Sequence, residues 1–189
     1  KKNTTLPHMM PDAKNWQRVI SSFGINNEDH IIIYDNSSVY SSCRLWFSFI
    51  YFGHNTNLVS VLNGGFKKWL KESKKVTSLK TNYKKSDYRV NENKNLIFNR
   101  ENVDQNIISK KYKLVDARSK ERFQGKIPEP RPGLKSGSIP GSENIPYNFC
   151  INSDDNTFKS VEDLKTIFGK LNLKENTVFT CGSGITACV

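Results

Sequence analysis

Asn176-Thr177-Val178-Phe179-Thr180-Cys181-Gly182-Ser183-Gly184-Ile185-Thr186 is the stretch that decides the fold. Asn176–Thr180 reads as a short buried strand. Small residues and two glycines then turn the chain, and a helix is expected to start just after Gly184. Such a succession belongs to an α/β unit. Upstream, Ser160 caps an expected helix that runs through Phe168, with Glu162 and Asp163 in its first turn. A helix over Asn99–Ser109 leads to a strand at Lys113-Leu114-Val115-Asp116. Between them and the final strand, Ile127–Gly141 holds four prolines and three glycines and reads as a structured loop.

The same order of elements occurs near the other end. Pro11–Phe23 reads as a helix with Trp16, Val19, Ile20 and Phe23 on one face, stopped by Gly24. His30-Ile31-Ile32-Ile33-Tyr34 is a continuous apolar run of the kind a buried parallel strand shows. A polar loop from Asp35 to Ser38, a helix over Ser41–Phe52, a strand over Asn57–Leu62 and a helix over Phe66–Glu72 follow. Asp35 holds the place of Cys181, 146 residues earlier, so two copies of one α/β unit are expected. The division expected is a first domain over 1–73, a Lys- and Asn-rich linker over 74–95, and a second domain over 96–189. Both copies are expected to be incomplete, the first lacking early elements and the second stopping within a helix, as in an internal piece of a longer protein.

Across the 189 residues, 29 Lys and Arg face 18 Asp and Glu, a net charge of +11. Apolar residues make 36% and aromatics 11%, enough for packed cores. No apolar run approaches the roughly 18 residues of a membrane span; Leu45–Gly53 is the most apolar and is too short. The 22 lysines outnumber the 7 arginines and look scattered, which favours a solvated surface, or a field that draws small anions, over a nucleic-acid face. Cys43, Cys150, Cys181 and Cys188 contain no Cys-x-x-Cys pair, and three histidines accompany them, which argues against a zinc site. Asn3-Thr4-Thr5 and Asn36-Ser37-Ser38 fit the glycosylation pattern and read as chance in a chain with 21 asparagines.

Cys181 carries the chemistry. A loop of small residues between a strand and a helix start turns backbone N–H groups inward, and those donors together with the helix dipole would favour a thiolate. An inert packed cysteine is the alternative. Two other motifs fail. Cysteine phosphatases need Arg six residues on, where Ala187 stands, and a serine-hydrolase elbow needs Gly two residues before Ser183, where Cys181 stands.

Cys181-Gly182-Ser183-Gly184-Ile185-Thr186-Ala187 resembles the active-site loop of the two-domain rhodanese family. Leu6-Pro7-His8-Met9-Met10-Pro11, Tyr34-Asp35 with Ser41, Ser42 and Arg44, and Leu62-Asn63-Gly64-Gly65-Phe66 with Trp69 resemble its first domain. Asp116-Ala117-Arg118, Arg122-Phe123, Glu129-Pro130-Arg131-Pro132-Gly133 and Gly137-Ser138-Ile139-Pro140-Gly141 resemble its second. The resemblance implies two tandem rhodanese-like domains, each a mostly parallel sheet flanked by helices, the second catalytic and the first, with Asp35, not. The uncharged loop is similar to the branch that takes sulfur from 3-mercaptopyruvate; the thiosulfate-using branch and a non-enzymatic binding module are the alternatives.

By resemblance, Cys181 is the nucleophile and holds a persulfide, cradled by Gly182, Ser183, Gly184, Ile185 and Thr186. Arg122 and Arg131 bind the 2-oxo acid substrate. Ser183 and His8 form a proton relay, with His8 coming from the first domain, so the site is expected at the domain interface. Arg118 is expected to brace its loop against an acidic residue, and Cys43 and Cys150 to pack. Cys188 is expected to face the interior. No metal or organic cofactor is implied. The acceptors implied are thiols such as thioredoxin, or cyanide, with hydrogen sulfide as a product. No nucleic-acid or membrane partner, a monomer or weak dimer, and a cytoplasmic or mitochondrial setting are expected.

Overall fold

The computed structural model describes residues 6–169, 171 and 176–189. Asn3-Thr4-Thr5 lies outside them. The chain divides into two compact units, Lys1–Leu96 and Ile97–Val189.

In the first unit, α1 (Ala13–Ser22) begins where the Asp12 carboxylate accepts the Asn15 N–H at 2.9 Å. Strand β1 (Ile31–Ile33), helix α2 (Ser41–Tyr51), strand β2 (Val59–Val61) and helix α3 (Gly65–Lys71) follow. The strands pair in parallel, Ile31 against Val59 and Ile33 against Val61. The expected strand over Asn57–Leu62 is shorter, because a 3-10 turn at Thr56–Leu58, capped by Asn55, takes its first residues. Trp16, Ile20, Ile33, Phe49, Phe52 and Val59 make the core. Trp16 stacks on Phe52 at 4.7 Å between ring centroids and meets Phe49 edge-on at 5.1 Å.

The stretch expected as a linker has two characters. Residues 71–85 are exposed throughout. From Ser86 the chain straps back onto the first unit. Ser86 N–H donates to the Ser21 carbonyl at 3.0 Å, Asn91 N–H to Phe52 at 3.0 Å and Asn93 N–H to Tyr51 at 2.7 Å. Tyr88 is wholly buried in the core. His54 Nε2 lies 3.1 Å from the Asp29 carbonyl, an acceptor, so Nε2 carries the proton and Nδ1 accepts the Tyr88 hydroxyl at 3.2 Å. Burial pushes the Tyr88 phenol up to about 12, so it stays a donor. Tyr88→Phe would strand a buried imidazole acceptor and is expected to cost about 1–3 kcal/mol in chemical denaturation of the whole chain.

In the second unit, α4 (Arg100–Ser109) opens on a reciprocal cap between Asn99 and Asn102. It leads to β3 (Lys113–Asp116) and the four-residue α5 (Lys120–Phe123). Strand β4 (Glu143–Asn144), helix α6 (Val161–Phe168) and strand β5 (Thr177–Thr180) complete the unit. The sheet runs β4-β3-β5, all parallel, with Leu114, Val115 and Asp116 buried in its central strand. Its register sets Asp116 beside Thr180. Both segments that follow, Ala117-Arg118 and Cys181-Gly182, therefore leave the same edge of the sheet, the carboxyl edge where open α/β sheets bind ligands. The helix expected after Gly184 is a single 3-10 turn, Thr186–Cys188.

Candidate active site

Cys181 sits immediately past β5 and is partly exposed. The Gly184 N–H points at its sulfur, 3.1 Å away. Burial pushes the thiol up. The Thr186 hydroxyl and the N–H groups of Ser183, Ala187 and Gly184 outweigh it and hold the group below the ordinary thiol value. Gly184 has a φ of 74°, in the left-handed region that glycine enters without strain, and this redirects the chain that follows, which carries Thr186 and Ala187. The loop is thus a nest of donors round one sulfur atom, suited to an anion there.

Two arginines meet at Gly182. A Cβ on Gly182 would fall 2.8 Å from Nη2 of Arg122, so the guanidinium occupies the space that glycine leaves. Arg131 Nη1 donates to the Gly182 carbonyl at 3.1 Å. Arg122 is in turn held by Glu129, with Nε donating to Oε1 at 3.0 Å and Nη2 to Oε2 at 2.5 Å.

Arg118 braces the loop, as expected. It donates to Asp116, with Nε at 3.0 Å from each carboxylate oxygen, and through Nη1 to Glu129 Oε1 at 2.8 Å. Nη2 donates to the Gly137 carbonyl at 2.7 Å. Glu129 is 4% exposed and joins both arginines. Its hydrogen bond with Arg122 holds its carboxyl below the usual range against the effect of burial, with the charges of Arg122 and Arg118 adding to it. Glu129 has no role that the sequence alone assigns. An acidic residue between two prolines, seven positions after Arg122, was the available signal.

The structure therefore gathers Cys181, Gly182, Ser183, Gly184, Thr186, Arg122 and Arg131 round one loop. Ile185 caps the 3-10 turn that follows Gly184. His8 belongs to the first unit, where its carbonyl accepts from Arg44 Nη2 at 3.1 Å and its φ is 59°. Asp35, in the corresponding place of the first unit, accepts the hydroxyls of Ser37 and Ser41 at 2.9 and 2.8 Å and the N–H of Ser42 at 2.9 Å. A carboxylate tied to the start of α2 takes the position that Cys181 holds in the second unit. Cys43 and Cys150 are buried and Cys188 donates to the Gly184 carbonyl at 3.3 Å. Among the described residues, no cluster of three or more His, Cys, Asp or Glu could hold a metal ion, and no helix is long and apolar enough to cross a membrane.

The sequence pattern of the rhodanese-like domain matches residues 2–72 and 99–189. Over 185 residues the chain is 37% identical to 3-mercaptopyruvate sulfurtransferase of Mus musculus, covering 96% of this chain and 61% of that protein. Over 195 residues it is 39% identical to thiosulfate sulfurtransferase of Rattus norvegicus, covering 99% of this chain and 64% of that protein. The chain thus spans a little over three-fifths of the length of these relatives. Its structure is similar to that of the Tum1 protein from Saccharomyces cerevisiae, with a TM-score of 0.86 at 28% identity over 100% of this chain and 67% of that one. The fold is shared with SseA from Escherichia coli, with a TM-score of 0.85 at 24% identity over 100% of this chain and 70% of that one. Two copies of one α/β unit, a cysteine in a donor-lined loop at the carboxyl edge of the second sheet and these matches agree: the chain belongs to the rhodanese-like family.

Proposed function

We propose that this chain is a sulfurtransferase that takes sulfur from 3-mercaptopyruvate onto Cys181 and passes it to a thiol or to cyanide. The observation that carries this reading is the nest of N–H and hydroxyl donors round the Cys181 sulfur. The Cys181 thiolate attacks the thiol sulfur of the donor. The S–S bond forms as the donor's C–S bond breaks, and the electron pair passes to the methylene carbon as pyruvate enolate, which gains a proton to leave as pyruvate. The outer sulfur of the persulfide, once ionised, is stabilised by the loop. An acceptor thiol or cyanide then attacks that outer sulfur, and the electron pair of the S–S bond returns to Cys181 as thiolate. With two thiols in turn, the sulfur ends as hydrogen sulfide.

Arg122 and Arg131, both at Gly182, offer cations to the carboxylate and carbonyl of the 2-oxo acid. Ser183 is assigned to the donor's thiol proton by its place in the loop. His8 is assigned to the same relay by resemblance alone. Residues 182–186 carry no charged side chain, which supports 3-mercaptopyruvate over a dianionic donor. Thiosulfate is the second reading, because thiosulfate sulfurtransferases match the chain as well.

Intact-mass measurement after brief exposure to each donor tests this. The expected result is a gain of one reducible sulfur atom from 3-mercaptopyruvate, located by digestion to the peptide that contains Cys181. A gain from thiosulfate alone would move the chain to the second reading. No gain from either, on folded chain, would overturn both.

A further inference from the structure

The lysines are not spread evenly. Eight of the 22 fall between Lys67 and Lys85, where Glu72 is the single acidic residue and arginine is absent. Residues 71–85 form one continuous exposed stretch, irregular after α3. Both ends are fixed. Trp69 Nε1 donates to the Lys75 carbonyl at 3.0 Å, and the Ser86 N–H donates to the Ser21 carbonyl at 3.0 Å. Glu72 is shared by Lys68 at 3.0 Å and Lys74 at 3.6 Å, and the other six lysines, Lys80, Lys84 and Lys85 among them, are in excess. Between the lysines, Val76, Leu79 and Tyr83 are 59%, 83% and 61% exposed.

We infer that this stretch is a docking surface for an anionic lipid membrane. Charge complementarity carries the inference, and three features choose among anionic partners. Flexible ammonium groups without arginine suit a diffuse layer of headgroups better than the bidentate capture of individual phosphates. One exposed aromatic is too few for a stacking platform on single-stranded nucleic acid. Leucine at 83% exposure, next to Lys80 on an irregular loop, can enter the acyl boundary while the ammonium groups stay among the headgroups. Basic charge and a short apolar insertion are the two signals that together hold a protein on a surface. The earlier expectation of no membrane partner followed from the lack of a spanning segment, which does not bear on surface attachment.

Co-sedimentation of the whole chain with vesicles tests it, using phosphatidylcholine alone and phosphatidylcholine with about one-third phosphatidylserine. Binding is expected to the mixed vesicles only, and to weaken with added salt. The triple variant Lys80→Gln, Lys84→Gln, Lys85→Gln is expected to lower partitioning on the order of a hundredfold, about fivefold for each lysine. Leu79→Ser, which leaves the charge unchanged, is expected to lower it by a further measurable factor. All these residues are exposed, and far-UV circular dichroism shows whether each variant stays folded. Three results would overturn the inference: no binding to the mixed vesicles, binding that the lysine variant leaves unchanged, or binding indifferent to Leu79→Ser. If an oligonucleotide also binds through the same lysines, the last result would make the stretch a general polyanion patch.

Discussion

A Cys181→Ser chain is expected to take up no sulfur from either donor, a loss of about a thousandfold or more. The substitution changes one atom. Serine's hydroxyl stays protonated throughout the working pH range, so the donors that favour an anion on sulfur find none on oxygen. The other thiols do not compensate. Cys43 and Cys150 are buried, and burial pushes Cys150 up, away from the thiolate. Cys188 donates its thiol proton to the Gly184 carbonyl. Cys188→Ser is therefore expected to keep sulfur uptake, and the two serine variants measured side by side by mass show which sulfur is loaded. The pH dependence has the matching sign. The thiolate is the attacking form and its proton is held less tightly than in an ordinary thiol, so uptake rises with pH and levels off below the ordinary thiol value.

Glu129→Gln is expected to destabilise the chain by about 3 kcal/mol and to slow uptake from 3-mercaptopyruvate. Glu129 lies almost out of solvent, with Oε1 accepting from both Arg118 and Arg122 and Oε2 from Arg122. Removing one charge of a buried network leaves the partners desolvated and uncompensated, which costs more than the pair contributes when intact. Arg118 keeps Asp116. Arg122 loses the charged acceptor of both its bonds, and with it the fixed approach to Gly182. The linkage has a definite sign. The folded-state carboxyl of Glu129 is held below its unfolded value, so its contribution is full above the unfolded value and is lost as pH falls through the folded one. Denaturation curves for parent and variant should therefore converge at low pH. A gap of less than about 1 kcal/mol near neutrality would mean that the network is solvated and does not hold Arg122 in place.

Much of this architecture was legible in the residues, where the physical signal is local. The apolar run at Ile31–Ile33 and the one at Thr177–Thr180 are strands because β-branched and aromatic side chains fit a pleated, half-buried surface; neither is the fully buried strand expected, since Ile32 and Phe179 are exposed. Ser160 announces a helix because its side chain satisfies an N–H that the first turn leaves open, while Asp12 and Asn99, expected inside their helices, are the caps of α1 and α4. The parts that were missed depend on distant partners. Glu143-Asn144 is a two-residue strand in a segment rich in proline and glycine, defined only by its pairing with Val115 and Asp116. Tyr88 stands in a polar, lysine-rich stretch whose composition reads as solvent-exposed, yet Phe49 and His54 lie across from it. In the candidate site, the donor-lined loop round Cys181 is legible because its residues are contiguous. Glu129 could not be given a role, because its meaning lies in two arginines seven and eleven residues away.

The strap from Ser86 to Asn93 changes what a cut in the chain would mean. A trypsin-like protease meets its cleavage residues openly at Lys80 and Lys84, ahead of the strap. A nick there would not free the second unit. The downstream fragment would still begin with a segment whose Tyr88 is sealed inside the first unit and whose Asn91 and Asn93 amides are bonded to Phe52 and Tyr51. Two polypeptides would remain joined as one particle, coming apart only when the first unit melts. The covalent connection across 74–85 is thus dispensable to cohesion, because Tyr88 and the strap amides hold the downstream fragment on the first unit.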